Sequence, residues 1–393
     1  MIANDVFFLQ QAYRQAARAC GNSDPNPAVG AMLVDANDKV LATGFTHTVG
    51  HDHAERDLLK KISPTIDLSA ATLYVTLEPC CHQGRTPPCT DLIIERRIGR
   101  VVIAERDHGS QVQGRGVLIL QNAGIKVVVA PESELHVEKW FSTGSFFHRQ
   151  ENNRPRVILK WAQTADGYLA PQVEKSGAIS GQVANEITQR LRNLFKLTLA
   201  SPGTVQIDRP RLNARINPNF QIPDKLFSPF LQQLLNEQRI PDAQNLAKHE
   251  AKYSHRFFLT TGLSYEERKM FEHFQRSIDE RFTLLDYSMN RLDRDAFVEI
   301  LFSAAKQGFN SILVEAGPYF SQFLIEENLV DALVIYISKT RTAQGLWGQK
   351  TGRGNLLSEK ISQTPLALKS IGDFQLLEFA ETDEDLIYFF EHA

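Results

Sequence analysis

Apolar positions recur at helical spacing from Asn4 to Cys20, with Val6, Leu9, Ala12, Ala16 and Cys20 near one face of a predicted helix. A turn-rich loop, SDPNP (23–27), follows. Two apolar runs, VGAMLVDA (29–36) and VLATGFTH (40–47), predict strands, and HAERDLLKKI (53–62) predicts a short helix. ATLYVTL (71–77) predicts a buried strand that leads directly into EPCCHQGRTPPC (78–89). Helix TDLIIERR, strand RVVIAE, a helix near VLILQNAG and strand IKVVVA complete this half. Helices alternating with short apolar strands predict an α/β/α sandwich.

The segment HRQENNRPR (148–156) is polar and irregular, and the reading places a domain boundary there, giving domains 1–148 and 149–393. The pattern then restarts: strand VILKWAQT, turn ADG, helix VANEITQRLRN, strand LTLAS. Further on come strand HRFFLTTG, helix DAFVEILFSAAKQG, strand SILVEAG, helix YFSQFLIEENLV, and strands and loops up to LIYFF. Residues 217–250 carry prolines and weak periodicity and receive no assignment. The second half is therefore also α/β.

A length of 393 residues fits two or three domains at roughly 100–200 residues each. The net charge of −3 supplies no basic footprint for a nucleic-acid backbone, which argues against an editor of DNA or RNA. The first residues lack a basic start and a long apolar core, and no apolar run reaches the roughly 18 residues a membrane span needs, so the expectation is a cytoplasmic protein off the membrane. Of four cysteines, three fall at positions 80, 81 and 89, a cluster that points to metal or catalysis rather than to cross-links.

His53, Cys80 and Cys89 are the candidate metal ligands. Zinc favours imidazole and thiolate, and a catalytic site keeps a fourth position open for water. His53 opens one predicted helix, Cys80 follows a strand through Glu-Pro, and Cys89 starts the next helix after Thr-Pro-Pro. Glu55, two residues after His53, is placed to be the proton shuttle beside the metal without ligating it. Zinc lowers the pKa of bound water to about 7, which makes a nucleophile available at neutral pH. His-x-Glu followed by Pro-Cys and a later Cys is a zinc-deaminase signature, here with Cys80-x8-Cys89. The competing reading is a structural zinc site closed by His82 or Cys81, or buried thiols with no metal, and it would leave Glu55 idle. His47 and His51 are as much surface candidates as substrate contacts.

TLEPCCHQGRTPPC (76–89), PNPAVG (25–30) and HAE (53–55) together resemble the bifunctional riboflavin-biosynthesis deaminase/reductase, the RibD family, in order and spacing. The resemblance implies a three-layer, cytidine-deaminase-like first domain and a dihydrofolate-reductase-like second domain. It implies Zn2+ in the first and NADPH in the second. The implied reactions are hydrolytic loss of the 2-amino group of a phosphoribosylated diaminopyrimidinone, then reduction of the ribosyl ring to a ribityl chain. The implied partner is this small molecule, with homo-oligomers built through the second domain.

The resemblance also implies residue roles. Asn26 falls in the motif that holds the pyrimidine, and residues 84–88 shape the pocket mouth. Ser176, Arg192, Leu212, Arg215 and Glu315 fall on substrate positions. Thr204, Asp208 and Gly317 fall on cofactor positions. Arg192 and Arg215 suit a ribose 5-phosphate, and a glycine before a helix start suits a cofactor phosphate.

Several positions depart from the family pattern. Its histidine before the metal helix falls on Thr46, with His47 next door, and its Asp-Pro-Asn-Pro loop is Asp107-His108-Gly109-Ser110. In the second half a tryptophan is Ala178, a threonine Ser180, an arginine Asn185, and Glu-Gly-Gly is Glu315-Ala316-Gly317. Two alternatives follow: a deaminase with a non-catalytic reductase-like module, and a zinc-stabilised binding protein without turnover.

Overall fold

The computed structural model describes residues 4–84, 87–109, 114–131, 135–169, 179–238, 255–260, 263–278, 281–285, 293–342 and 370–393. The chain forms two compact units, Met1–Asn153 with Pro229–Glu237, and Arg154–Ser228 with Gln238–Ala393.

The first unit runs α1 (Asp5–Ala16), β1 (Gly30–Val34), β2 (Val40–Phe45), α2 (Ala54–Leu59), β3 (Thr72–Val75), α3 (Cys89–Glu95), β4 (Arg100–Ile103), α4 (Arg115–Asn122), β5 (Lys126–Val129), α5 (His136–Ser142) and α6 (Gly144–Asn152). Its sheet has the order β2-β1-β3-β4-β5. β2, β1 and β3 pair antiparallel, and β3, β4 and β5 pair parallel. The β1–β2 turn is closed by Asp35, whose Oδ1 accepts from the backbone N–H groups of Asn37 and Lys39.

Two glycines show how the layers form. Gly30 pairs with Phe45 and Ala31 with Gly44, so Gly30 and Gly44 face opposite sides of the sheet. A methyl group on Gly30 would strike the Ala12 carbonyl of α1, and one on Gly44 would strike the Ala54 carbonyl of α2. Helices therefore cover both faces at van der Waals contact. On the α2 side the core joins Leu33, Leu58, Leu73, Ile93, Val101 and Leu120. On the α1 side, the buried carboxylate of Asp5 accepts from both Nη atoms of Arg100 (2.9 and 2.7 Å) and from Tyr74 Oη (3.0 Å).

Two elements differ from the sequence expectation. The segment read as an irregular boundary is helical up to Asn152, and Asn153 ends α6 with a positive φ of 55°. Within 217–250, Pro229–Glu237 form α9, which buries Phe230, Leu231, Leu234 and Leu235 in the first unit and sets Phe230 edge-on to Tyr13.

The second unit contains β6 (Arg156–Gln163), α7 (Gln182–Leu194), β7 (Leu197–Ala200), α8 (Pro202–Asp208), β8 (His255–Leu259), α10 (Tyr265–Ile278), β9 (Phe282–Leu285), α11 (Arg294–Lys306), β10 (Ser311–Glu315), α12 (Pro318–Glu326), β11 (Ala332–Ser338), β12 (Ser370–Ile371), β13 (Phe374–Glu381) and β14 (Asp385–His392). Among the described residues its sheet has the order β12-β13-β14-β11-β6-β10-β7-β8-β9. The six strands from β11 to β9 pair parallel, and β14 and β13 add antiparallel at one side. Parallel strands buried on both faces read as continuous apolar runs, which is how SILVE, LTLA and ALVIYIS appear.

Candidate active site

His53 is the N-cap of α2, with extended backbone, and Cys89 is the first residue of α3 behind Pro88. Cys80 lies beyond the end of β3, where its carbonyl accepts from the Thr90 backbone N–H (3.2 Å). These local folds bring three donors together. His53 Nδ1 is 3.5 Å from Cys80 Sγ and 3.5 Å from Cys89 Sγ. All the donor atoms lie within 4.8 Å of one another. Tetrahedral zinc at ordinary Zn–N and Zn–S lengths requires N···S edges of about 3.6 Å. The cluster therefore has the spacing of a zinc site, and among the described residues it contains only these three ligands. Neither Cys81 nor His82 joins it, which favours an open fourth position over a closed structural site.

The protonation pattern agrees with a cation site. Cys80 is held down to about 4 by its hydrogen bonds from Cys89 and His53, and the Cys89 N–H also points at its sulfur (3.4 Å). Cys89 is pushed up, because it shares the proton with Cys80 and is buried beside Glu55. His53 is raised by its bond to Cys80. A divalent cation reverses this field and displaces the Cys89 proton. Cys80→Ala and Cys89→Ala are therefore expected to lower zinc affinity by more than the roughly 10–100-fold that loss of an outer hydrogen-bond partner costs. Metal analysis and ammonia release should fall together, and in the wild type zinc affinity should weaken as pH falls, since the thiols must lose their protons to bind.

Glu55 is 3% exposed and sits in the first turn of α2. Burial, with the Cys80 sulfur beside it, raises its pKa. It lines a cleft of about 890 Å³ together with Asn26, Thr46, His51, His53 and Cys80. Thr46 is held by Val29, whose N–H donates to its Oγ1 (3.3 Å), while His47 turns to Asp57 (3.2 Å).

Two features of this cleft were not read from sequence. Glu78 is buried, and its carboxylate accepts from the N–H groups of Asp107, Gly114 and Val117 (3.1–3.3 Å), tying the Cys80 loop to the turn at 107 and to the start of α4. A glutamate directly before Pro-Cys was the available signal. The other is α6, whose Phe146, Phe147, Arg149 and Gln150 line the cleft.

In the second unit the strand ends carry the candidate residues. Arg192 of α7 makes a two-pronged ion pair with Glu315 at the end of β10 (2.5 and 2.8 Å). Buried beside Arg192, and near Lys160 and Arg215, the Glu315 carboxyl is drawn down to about 2. Arg215 is exposed and donates to Asn213 Oδ1 (2.8 Å). Lys160 was not foreseen; it interrupts the apolar strand β6, lies over the Tyr336 ring (4.9 Å), and burial lowers its pKa. Leu212 has a φ of 54° and packs its side chain with Val205 and Phe258, leaving only its backbone for a ligand.

Ser201 links the cofactor candidates. Its Oγ caps α8 at the Thr204 N–H and lies 3.5 Å from Gly317 N, the N-cap of α12. α8 and α12 thus start at the carboxyl ends of adjacent strands β7 and β10, where open α/β sheets bind nucleotides. Among the described residues nothing lies within 4 Å of a methyl group built on Gly317, which leaves its backbone room to meet a phosphate. Asp208 is exposed at the end of α8. Ser176, Ala178, Arg85 and Thr86 lie outside the described residues.

A zinc-type donor cluster in an α/β/α unit, in a chain whose second α/β unit carries a nucleotide-type strand-end crevice, defines a two-domain enzyme of the zinc-deaminase class. Residues 2–105 match the cytidine and deoxycytidylate deaminase zinc-binding region, and residues 155–341 match the RibD C-terminal domain. The riboflavin biosynthesis protein RibD of Actinobacillus pleuropneumoniae is 32% identical over 365 residues, covering 93% of this chain and 90% of that protein. RibD of Escherichia coli is 31% identical over 366 residues, covering 92% and 94%. A solved structure from Thermotoga maritima, described as a diaminohydroxyphosphoribosylaminopyrimidine deaminase/5-amino-6-(5-phosphoribosylamino)uracil reductase, superposes with a TM-score of 0.71 at 26% identity over 99% of both chains. Acinetobacter baumannii RibD has the same fold, with a TM-score of 0.73 over 100% of both chains at 24% identity. The chain belongs to the RibD family of riboflavin biosynthesis proteins. Because the likeness spans both halves, it runs against the deaminase-only and binding-protein readings.

Proposed function

We propose that this protein hydrolyses the 2-amino group of a phosphoribosylated 2,5-diaminopyrimidinone and then reduces the ribosyl product with NADPH. Residues 1–148 would carry the first reaction and 149–393 the second. The observation that carries the reading is the His53–Cys80–Cys89 triangle with buried Glu55 beside it.

His53, Cys80 and Cys89 would hold the zinc, which when bound activates water for attack at neutral pH. Asn26 orients the pyrimidine in the cleft. Glu55 takes a proton on a carboxylate oxygen and delivers it to the departing amine, which leaves as ammonia. Its buried position supports this role, since a raised pKa brings a carboxyl closer to the working pH.

In the second half, NADPH when bound supplies the reducing equivalents. Gly317, Thr204 and Asp208 would hold it, with the α12 start facing phosphate. Ser176, Leu212, Arg215, Arg192 and Glu315 would bind the ribosyl phosphate, and Lys160 adds a positive group beside them. Arg215→Ala is expected to raise the KM of reduction about tenfold or more, through lost phosphate contact, and to leave ammonia release intact. Loss of both activities would contradict the division of labour.

The reading extends to a cytoplasmic enzyme on a small-molecule substrate, self-associating through its second domain. The acidic balance favours a small molecule over nucleic acid as partner, and among the described residues no helix is long and apolar enough to cross a membrane. Incubation of the zinc-loaded protein with the diaminopyrimidinone tests it: ammonia should appear, and should not appear after chelation of the metal.

A further inference from the structure

The cleft of the first unit extends well past the donor cluster. Its lining begins at buried Glu55 and ends at exposed Gln150, Glu151 and Asn153. Its volume of about 890 Å³ lies near the top of the roughly 300–1,000 Å³ range of small-molecule sites, which leaves room beyond a pyrimidine ring.

One side of the outer part is α6. Phe147 packs edge-on against His108, with ring centroids 5.1 Å apart. Gly109 lies so close to Asp107 and to the Gln150 carboxamide that a methyl group there would stand 2.9 and 3.1 Å from their oxygens. These contacts hold the helix against the turn at 107–109. Arg149 belongs to the same helix, is half-buried and lines the cleft. Its Nη2 donates to the Pro25 carbonyl (3.1 Å), in the loop that carries Asn26.

We propose that Arg149 recognises the phosphate of the substrate in the deaminase half, an inference that rests on the phosphoribosyl-pyrimidine reading above. A substrate with its amine at Glu55 and its ring beside Asn26 sends its sugar phosphate toward the open end of the cleft, one side of which is α6. Among the described lining residues Arg149 is the one with a permanent positive charge; the other basic groups are histidines, and Glu55, Glu78, Asp107 and Glu151 are acidic. A guanidinium matches phosphate with paired N–H donors, and the bond to Pro25 orients it before the ligand arrives, which lowers the cost of ordering. Burial draws the Arg149 pKa down against the neighbouring Asp24 carboxylate, a desolvation that an arriving dianion offsets.

The test compares deamination of the phosphorylated compound with that of the same compound after phosphatase treatment. The readout is the ratio of the two kcat/KM values in wild type, Arg149→Met and Arg149→Lys, each checked for wild-type zinc content. The expected result is a wild-type preference for phosphate that falls about 10- to 100-fold in Arg149→Met and by less in Arg149→Lys. The Ki of ribose 5-phosphate against deamination should rise in the same order. If Arg149→Met loses zinc through misfolding, the Arg149→Lys ratio decides: a ratio equal to wild type overturns the inference. A phosphate preference undiminished in folded Arg149→Met overturns it while leaving the enzyme's reaction intact. Deamination of neither compound by wild type overturns the reading of the reaction, and this inference with it.

Discussion

Glu55→Gln is expected to keep its zinc and lose deamination by about 10²–10⁴-fold in kcat. The substitution preserves volume and leaves His53, Cys80 and Cys89 untouched, so the donor triangle has no reason to open. An amide cannot accept and return the proton that the reaction moves. Glu55 is almost fully buried, so bulk water cannot readily serve in its place. The check is metal analysis beside a single-turnover ammonia assay. Lost zinc with lost activity would assign Glu55 to the metal site, and retained activity would remove it from the chemistry.

The second large effect concerns the other half. Arg192→Met is expected to abolish reduction and to destabilise its unit by about 3–5 kcal/mol, because it leaves a buried carboxylate without its partner. Lys160 and Arg215 remain near Glu315 and keep the cost toward the lower end of that range. The pair also carries a pH signature. Glu315 titrates lower in the folded protein than in the unfolded chain, so its contribution is present above the ordinary glutamate range and is lost as pH falls toward about 2. Thermal melts from pH 7 to pH 3 should therefore converge between wild type and Arg192→Met, while zinc content at neutral pH stays equal. A constant offset at every pH would show that Glu315 ionisation does not carry the difference, and coincident melts would show that the pair adds nothing to stability.

The donor triangle of the candidate site was legible because each of its residues sits at a local signal. His53 precedes an apolar-periodic helix, Cys80 follows a buried strand, and Cys89 follows Pro-Pro at a helix start. Those features depend on residues adjacent in the chain. The wall formed by α6 was not legible, because its polar residues line a cleft rather than a core, so hydrophobic periodicity finds little there. α9 was missed for a different reason. Its apolar positions 230, 231, 234 and 235 are helical in spacing, but prolines at 218, 223 and 229 and a short length hid the pattern. Lys160 shows a third limit. One lysine in an apolar strand is a signal only once Glu315 and Arg192 stand beside it, and strand order brings them there.

The most direct measurement supplies zinc-loaded protein with the phosphoribosylated diaminopyrimidinone and NADPH, and follows ammonia and reduced-nicotinamide absorbance together. The account predicts that both change, with one ammonia released and one NADPH oxidised per substrate consumed, and that NADPH oxidation waits on deamination. Ammonia release with no loss of NADPH absorbance, when the deaminated compound also fails to consume NADPH, would contradict it.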